Sequence, residues 1–500
     1  MLSINTNVRG LHLGLSVLFA LAAAAMAIAG LALGSDQWML MAIGAAAPAA
    51  LLGPTATMRR NISLLDPINV VLLWVLIGCT AAAWFVAFGE GTRRTILMNQ
   101  EGVAFFVSGG MWVLMGLLLI GIGNGVASLR LPIERFPLIM RPSFDSRRAW
   151  VALVIGALVT IVATWLLLRA TGGFSLDDMA NLSRKRSVTF QDEMGADVRG
   201  TPSYLRLLSG LGYLVVILVV AGMLQARRKL RPLAAAVLAG AVLCSLAAPF
   251  FVSSRGAVVL NIALLFPLVA IYRGVKVVHV LAVVATLMVV FSGMTTLRIL
   301  SQSAEATRLE RRDSNPLQDL AASGNGLSLV GTSLIVQRVP QRLDYMMGRS
   351  LTTWVTAPIP RSVWHDKPDV ALGKIVNERI LGAYAGLTAR PPGFMGEGHI
   401  NFGILGFGAF AFVFGCLLRT YWESFRPLLG KSPIVSALYV VALPTVTGLV
   451  ATNLSQAIVL LASDLIPFVL IAGALTLGAR RFRAAPRPFN GGSLRGGVAR

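Results

Sequence analysis

The chain has 500 residues, is 56% hydrophobic and only 13% charged, and carries a net charge of +22. A water-soluble domain holds about 25% charged residues, so this composition excludes one. The excess of Lys and Arg would suit nucleic acid, but it is spread along the chain and builds no compact basic domain.

Apolar runs of roughly 20 residues recur from end to end, the length a helix needs to cross a bilayer. Backbone in lipid must satisfy its own hydrogen bonds, so these runs are read as helices. They do not alternate in ten-residue segments as barrel strands would. The fold class expected is therefore an all-α polytopic membrane protein. The first run, "LHLGLSVLFALAAAAMAIAGLALG", is long enough to span. A second run follows after a short turn, so the first is read as a retained helix and not as a cleaved signal. About twelve spans are expected: 11–34, 38–57, 68–88, 103–126, 149–169, 204–224, 233–252, 257–272, 277–297, 401–420, 434–453 and 458–478. Cys79, Cys244 and Cys416 all fall inside such runs, with no metal-type spacing.

Lys and Arg set the orientation. With the N-terminus in the cytoplasm, "MRRN", "RLPIERFPLIMRPSFDSRR", "ARRKLRP", "YRGVK", "RTYWESFRPLLGK" and "ARRFRAAPRP" all fall on the cytoplasmic side, as does the C-terminus. Nearly all of the excess charge then meets anionic membrane lipids. The chain divides into helices 1–9 over 1–297, with an outer loop at 170–203; a large outer loop, 298–400; helices 10–12 over 401–478; and a basic tail, 479–500. The large loop contains apolar pieces, "GLSLVGTSLIVQ" and "SLTTWVTAPI", too short to span and expected to lie on the membrane or over its core. No internal repeat of the kind common in carriers is visible.

Four stretches carry candidate chemistry. In "PFFVSSRGAVVL", Arg255 stands at the outer edge between two apolar runs. It either snorkels to lipid phosphates or offers its planar fork to an anion. In "VQRVPQRLDYMMGR", Arg338 and Arg342 are four apart and would share a helix face. An anion between them would relieve their repulsion; local ion pairs, with Asp344 for instance, would do so too. In "APIPRSVWHDKPDV", prolines hold Arg361, Trp364 and Lys367 in an extended path. Trp364 suits a sugar face or a membrane interface equally.

The fourth stretch, "RPPGFMGEGHINFGILGFG", enters the membrane through prolines and glycines that allow close backbone approach. Glu397 is either a partner of a helix N-terminus or a base for a hydroxyl. His399 is a second candidate base or an interfacial hydrogen-bonding group, and Asn401 a cap for the span after it. No D-x-D or E-x-D stands in the outer loops, no P-loop and no H-E-x-x-H anywhere, so no metal site and no cofactor are expected.

The series "SSRGAVVL", "PIPRSVWHDKPD" and "PPGFMGEGHINFGILG" resembles, in that order over about 250–420, the bacterial O-antigen polymerases, the Wzy-type repeat-unit polymerases. The resemblance implies a GT-C-like membrane glycosyltransferase of the inner membrane with a periplasmic active site. It joins repeat units carried on undecaprenyl diphosphate, and a chain-length regulator is a further partner of the family. Arg255, Arg361 and Glu397 would then be catalytic. Arg338, Arg342, Trp364, Lys367, His399 and Asn401 would bind diphosphate or glycan. The departing diphosphate asks for cations, and the acceptor for a base. Two other readings stay open: an O-antigen ligase, which transfers the glycan to lipid A core, and a polysaccharide or lipid transporter.

Overall fold

The computed structural model describes residues 7–88, 101–141, 145–171, 203–227, 231–251, 255–274, 328–359, 372–380 and 391–476, with scattered positions over 276–293 and 363–370. It is all-helical, and no strand occurs among the described residues. In chain order the helices are α1 (Arg9–Leu33), α2 (Asp36–Met58), α3 (Pro67–Phe88), α4 (Val103–Val126), α5 (Ser146–Thr171), α6 (Ser203–Ala226) and α7 (Pro232–Phe251). There follow α8 (Arg255–Ala263), α9 (Leu265–Arg273), α10 (Leu329–Arg338), α11 (Gly393–Phe425), α12 (Pro433–Gly448) and α13 (Leu454–Thr476).

Among the described residues eight helices are long and apolar enough to cross a membrane: α1 to α6, α11 and α13. Three shorter apolar stretches, Pro232–Ala247, Val258–Arg273 and Pro433–Gly448, match further expected spans. The run expected at 277–297 lies largely outside the described residues. A multi-pass membrane protein follows. The sides of α1 and α5 support this, since Leu18, Leu21, Ile28 and Leu31, and Val154, Ile155 and Leu158, are exposed with no protein against them.

The interior falls into two apolar clusters. One joins α2, α3, α4, α10 and the outer part of α11 around Leu51, Ile68, Phe106 and Phe407. The other joins α5, α6, α9, α12 and α13 around Ile217, Leu268, Val440 and Phe468. Lipid gives helices little hydrophobic reason to associate, so close approach at small residues does much of the holding. Gly123 of α4 faces the backbone of Phe412, and Gly415 of α11 faces the backbone of Ile120; a Cβ at either would overlap a carbonyl.

At the basic end of this bundle sits a buried ion pair. Arg59 donates to Asp66, and also to Asn124 Oδ1 at 2.7 Å, while Asp66 Oδ1 caps α3 by accepting from the Ile68 N–H at 3.2 Å. All three side chains are buried. Arg59 was counted by its charge among the lipid-facing cations of "MRRN"; it is buried and ties α2, α3 and α4 together.

Of the two places expected for the apolar pieces of the large loop, α10 takes the one over the core and not the membrane surface. It is buried against α4, with Gly109 against Ser333 and Gln337 donating to the Phe105 carbonyl at 2.5 Å. And the membrane run expected to begin at 401 begins at Gly393, as a hairpin.

Candidate functional site

The helical path of α11 is interrupted at Phe402 (φ −134°) and Gly403 (φ +63°, ψ −148°). The positive φ at Gly403 suits only glycine, and there is no room for a side chain, since a Cβ would sit 3.2 Å from Tyr345 Oη. The chain reverses at this point. Gly398 lies against the carbonyl of Gly406, and Phe394 packs on Phe410 at 4.6 Å and on Phe414 at 6.1 Å between ring centroids. Residues on either side of 402 thus pair as in an antiparallel hairpin. The arm Gly393–Asn401 is about 13 Å long, under half of a hydrocarbon core of about 30 Å. It is buried in protein along its whole length, which is the condition under which such a re-entrant piece is tolerated at membrane depth.

Three chain segments meet on this arm. The backbone of the loop segment 346–348 is tied to its end: Met346 N donates to the Ile400 carbonyl at 3.0 Å, Met347 N to the Asn401 carbonyl at 3.2 Å, and Gly348 N to Asn401 Oδ1 at 2.9 Å. At its start, Phe394 N donates to the Leu449 carbonyl at 3.0 Å, in the break between α12 and α13. Between them stands Glu397, fully buried. Its Oε1 accepts from Ser350 Oγ at 2.8 Å, and its Oε2 accepts from the Leu454 N–H, the first of α13, at 2.6 Å.

The network closes on itself. Asn401 Nδ2 donates to Ser350 Oγ at 2.7 Å and to the Glu397 carbonyl at 2.8 Å; Ser455 Oγ donates to the Ser350 carbonyl at 2.6 Å. Glu397 is therefore the anionic partner of a helix N-terminus, one of the two roles open to it from sequence. The helix is α13, 57 residues ahead, and not the one that Glu397 precedes. Asn401 does not cap the following span; its side chain serves the loop segment and the arm.

His399, two residues from Glu397, is buried with Nε2 directed at the Val339 carbonyl at 3.4 Å and Nδ1 without a described partner. The ring of Tyr345, itself 40% exposed, stands over it edge-on at 6.3 Å. His399 and Tyr345 thus link the buried clasp to the surface.

Arg338 and Arg342 do not share a helix face. Arg338 ends α10 and is buried, its Nη2 paired with Glu101 at 2.5 Å and its Nη1 donating to the Ile380 carbonyl at 2.7 Å. Arg342 lies past the turn and is exposed, as are Asp344 and Arg349. Helix α10 stops at Arg338 because Pro340 follows, so the i, i+4 spacing loses its meaning. Trp364 is 40% exposed, beside exposed Val363. Arg361 and Lys367 lie outside the described residues. Arg255 heads α8, and its side chain lies outside the described set.

Sequence reading missed Ser350, Arg349 and Tyr345. It placed a break between the spans 434–453 and 458–478, at "ATNLSQ", but not the meeting of that helix end with Glu397. Comparison with protein families, with curated proteins and with solved structures found no match for this chain.

Proposed function

We propose that this chain is a polysaccharide polymerase of the bacterial inner membrane. It joins oligosaccharide repeat units carried on undecaprenyl diphosphate, at the periplasmic face. The observation that carries the reading is the stitching of the loop segment 345–350 onto a re-entrant membrane hairpin. A lipid-linked sugar must be cut where its diphosphate meets the membrane surface. A site for that reaction needs outer-loop groups held in fixed register with membrane backbone, and a fixed, dry environment is what stabilises developing charge.

Within this reading the parts differ from those first assigned. Glu397 is a positioning residue, since both carboxylate oxygens are committed. Arg338 is held by Glu101 and braces the floor. The exposed Arg342 and Arg349 flank the segment tied to the hairpin and offer guanidinium groups to the diphosphate; the resemblance implies Arg255 and Arg361 for the same task. Tyr345, Trp354 and Trp364 give exposed aromatic faces on which sugar rings stack.

A second reading has one observation of its own. The arm of α11 ends inside the protein and holds a buried carboxylate against a helix N-terminus, and helices interrupted in this way mark carriers. A deletion strain of the source bacterium, read on a lipopolysaccharide gel, separates the possibilities. Loss of a polymerase leaves core bearing one repeat unit; loss of a ligase or of a carrier of repeat units leaves bare core. Bare core refutes the proposal.

A further inference from the structure

On the opposite side of the protein, where α6 and α9 end, a cavity of about 790 Å³ opens beside α9. Its volume lies within the range of small-molecule sites, about 300–1,000 Å³. Its walls are apolar, with Phe266 and Val269 on one flank. Its rim is basic: Arg227 just beyond α6, Arg273 at the end of α9, and His279. Among the described residues no acidic side chain lines it. Among the described residues neither arginine has an ion-pair partner, and both are exposed. Tyr272 closes one wall by donating to Ser436 Oγ at 2.9 Å, which fixes that side against α12.

An apolar body with a cationic collar at one end is the complement of one ligand chemistry: an acyl chain joined to a phosphate. Leu260, Val269 and Val278 are apolar and exposed on the same stretch of chain, a surface that a lipid chain leaving the cavity would cover. Basic pockets between membrane helices on the cytoplasmic side are where anionic head groups settle, and "ARRKLRP" and "YRGVK" were assigned to that side by charge alone. A free phosphate would meet the arginines but leave the apolar wall empty.

We propose that this cavity holds one anionic phospholipid, its phosphate between Arg227 and Arg273 and one acyl chain along Phe266 and Val269. The site is remote from the hairpin and independent of the polymerase reading.

The test uses the full chain in detergent, with equimolar phosphatidylglycerol and phosphatidylcholine, read by native mass spectrometry. Wild type retains one phosphatidylglycerol in preference to phosphatidylcholine, on the order of tenfold for two basic contacts. Arg227→Gln with Arg273→Gln brings the ratio to parity. Val269→Trp keeps both charges, fills the cavity, and lowers retention of either lipid. Millimolar inorganic phosphate leaves the adduct in place. Equal retention of the two lipids by wild type overturns the proposal, as does a preference that survives both variants. Displacement by inorganic phosphate overturns the lipid as occupant. Unchanged thermal unfolding of the variants separates loss of the site from loss of the fold, and Val269→Trp alone decides the matter if the arginine pair is needed to fold.

Discussion

Replacing Glu397 with Gln separates a holding role from a catalytic one. The carboxylate accepts two hydrogen bonds, from the Leu454 N–H and from Ser350 Oγ. A glutamine has one acceptor oxygen and one donor group in their place. If the amide oxygen stays on Leu454, the NH₂ faces Ser350, whose oxygen already accepts from Asn401. The Ser350 hydroxyl then has no acceptor. If the amide is reversed, two N–H groups oppose each other at the α13 N-terminus. Either way one charge-assisted bond is lost, about 1.5–3 kcal/mol, along with the favourable interaction of a negative charge with the helix end, about 0.3–1 kcal/mol. The expected loss is about 2–4 kcal/mol. It is read as a lowered unfolding midpoint of the detergent-solubilised protein. Ser350→Ala lowers it too, and the double variant costs less than the sum, because both changes break one network. A pure catalytic base predicts a different pattern: polymer formation reduced about 10²–10⁴-fold with the midpoint unmoved. An Glu397→Gln protein that melts with wild type refutes the clasp.

Other expectations concern the parts around it. Arg342→Gln with Arg349→Gln, both on exposed side chains, leaves the unfolding midpoint unchanged and abolishes long polysaccharide chains on the gel; wild-type chain length would exclude these arginines from the site. Gly398→Leu forces a side chain into the Gly406 carbonyl and prevents the hairpin from closing. The expected result is little folded protein by size-exclusion chromatography, and a normal monodisperse peak would contradict the antiparallel packing. Asp66→Asn leaves Arg59 buried without its charge partner and destabilises by about 3–5 kcal/mol. The double change Arg59→Met with Asp66→Leu is milder than Asp66→Asn, because no unpaired charge remains in the interior. Equal melting of the two proteins would show that the pair is not isolated from water.

What the sequence made legible follows from what hydropathy measures. The spans from α1 to α6 and α13 were readable because a lipid-facing helix needs about 20 apolar residues whatever its neighbours are. The hairpin was not readable from hydropathy, because an arm half as long as a span is too short to register as one. Gly393–Ile400 was therefore assigned to the large loop and the span begun at 401. The turn was nonetheless written in "NFG", since Gly403 is there for a backbone angle that other residues avoid. Charged residues were the least legible. Arg338 and Arg342 look equivalent at i, i+4, yet one is sealed against Glu101, 237 positions earlier, and the other is exposed. Spacing along a chain carries no record of a partner that far away. Arg59 was counted with the lipid-facing cations for the same reason, although "DP" at 66–67 was a visible helix start that placed an acid near it.

The dependence of Glu397 on a distant partner has a consequence for how the site is assembled. A carboxylate buried without hydrogen bonds in an apolar interior is costly enough to stay outside it. Of the two groups that make its burial tolerable, Ser350 precedes the arm and Leu454 follows Glu397 by 57 residues. The first is available as soon as the loop segment is made; the second exists only after α12 has crossed and α13 has begun. The same break supplies the Leu449 carbonyl that receives Phe394 N–H, so both ends of the arm wait for the same late piece of chain. The re-entrant arm is thus the last element of the site to become favourable inside the membrane. The loop segment, tied to the arm through Ile400 and Asn401, acquires its fixed position only then. A single carboxylate makes the geometry of this loop conditional on complete insertion of the C-terminal helices.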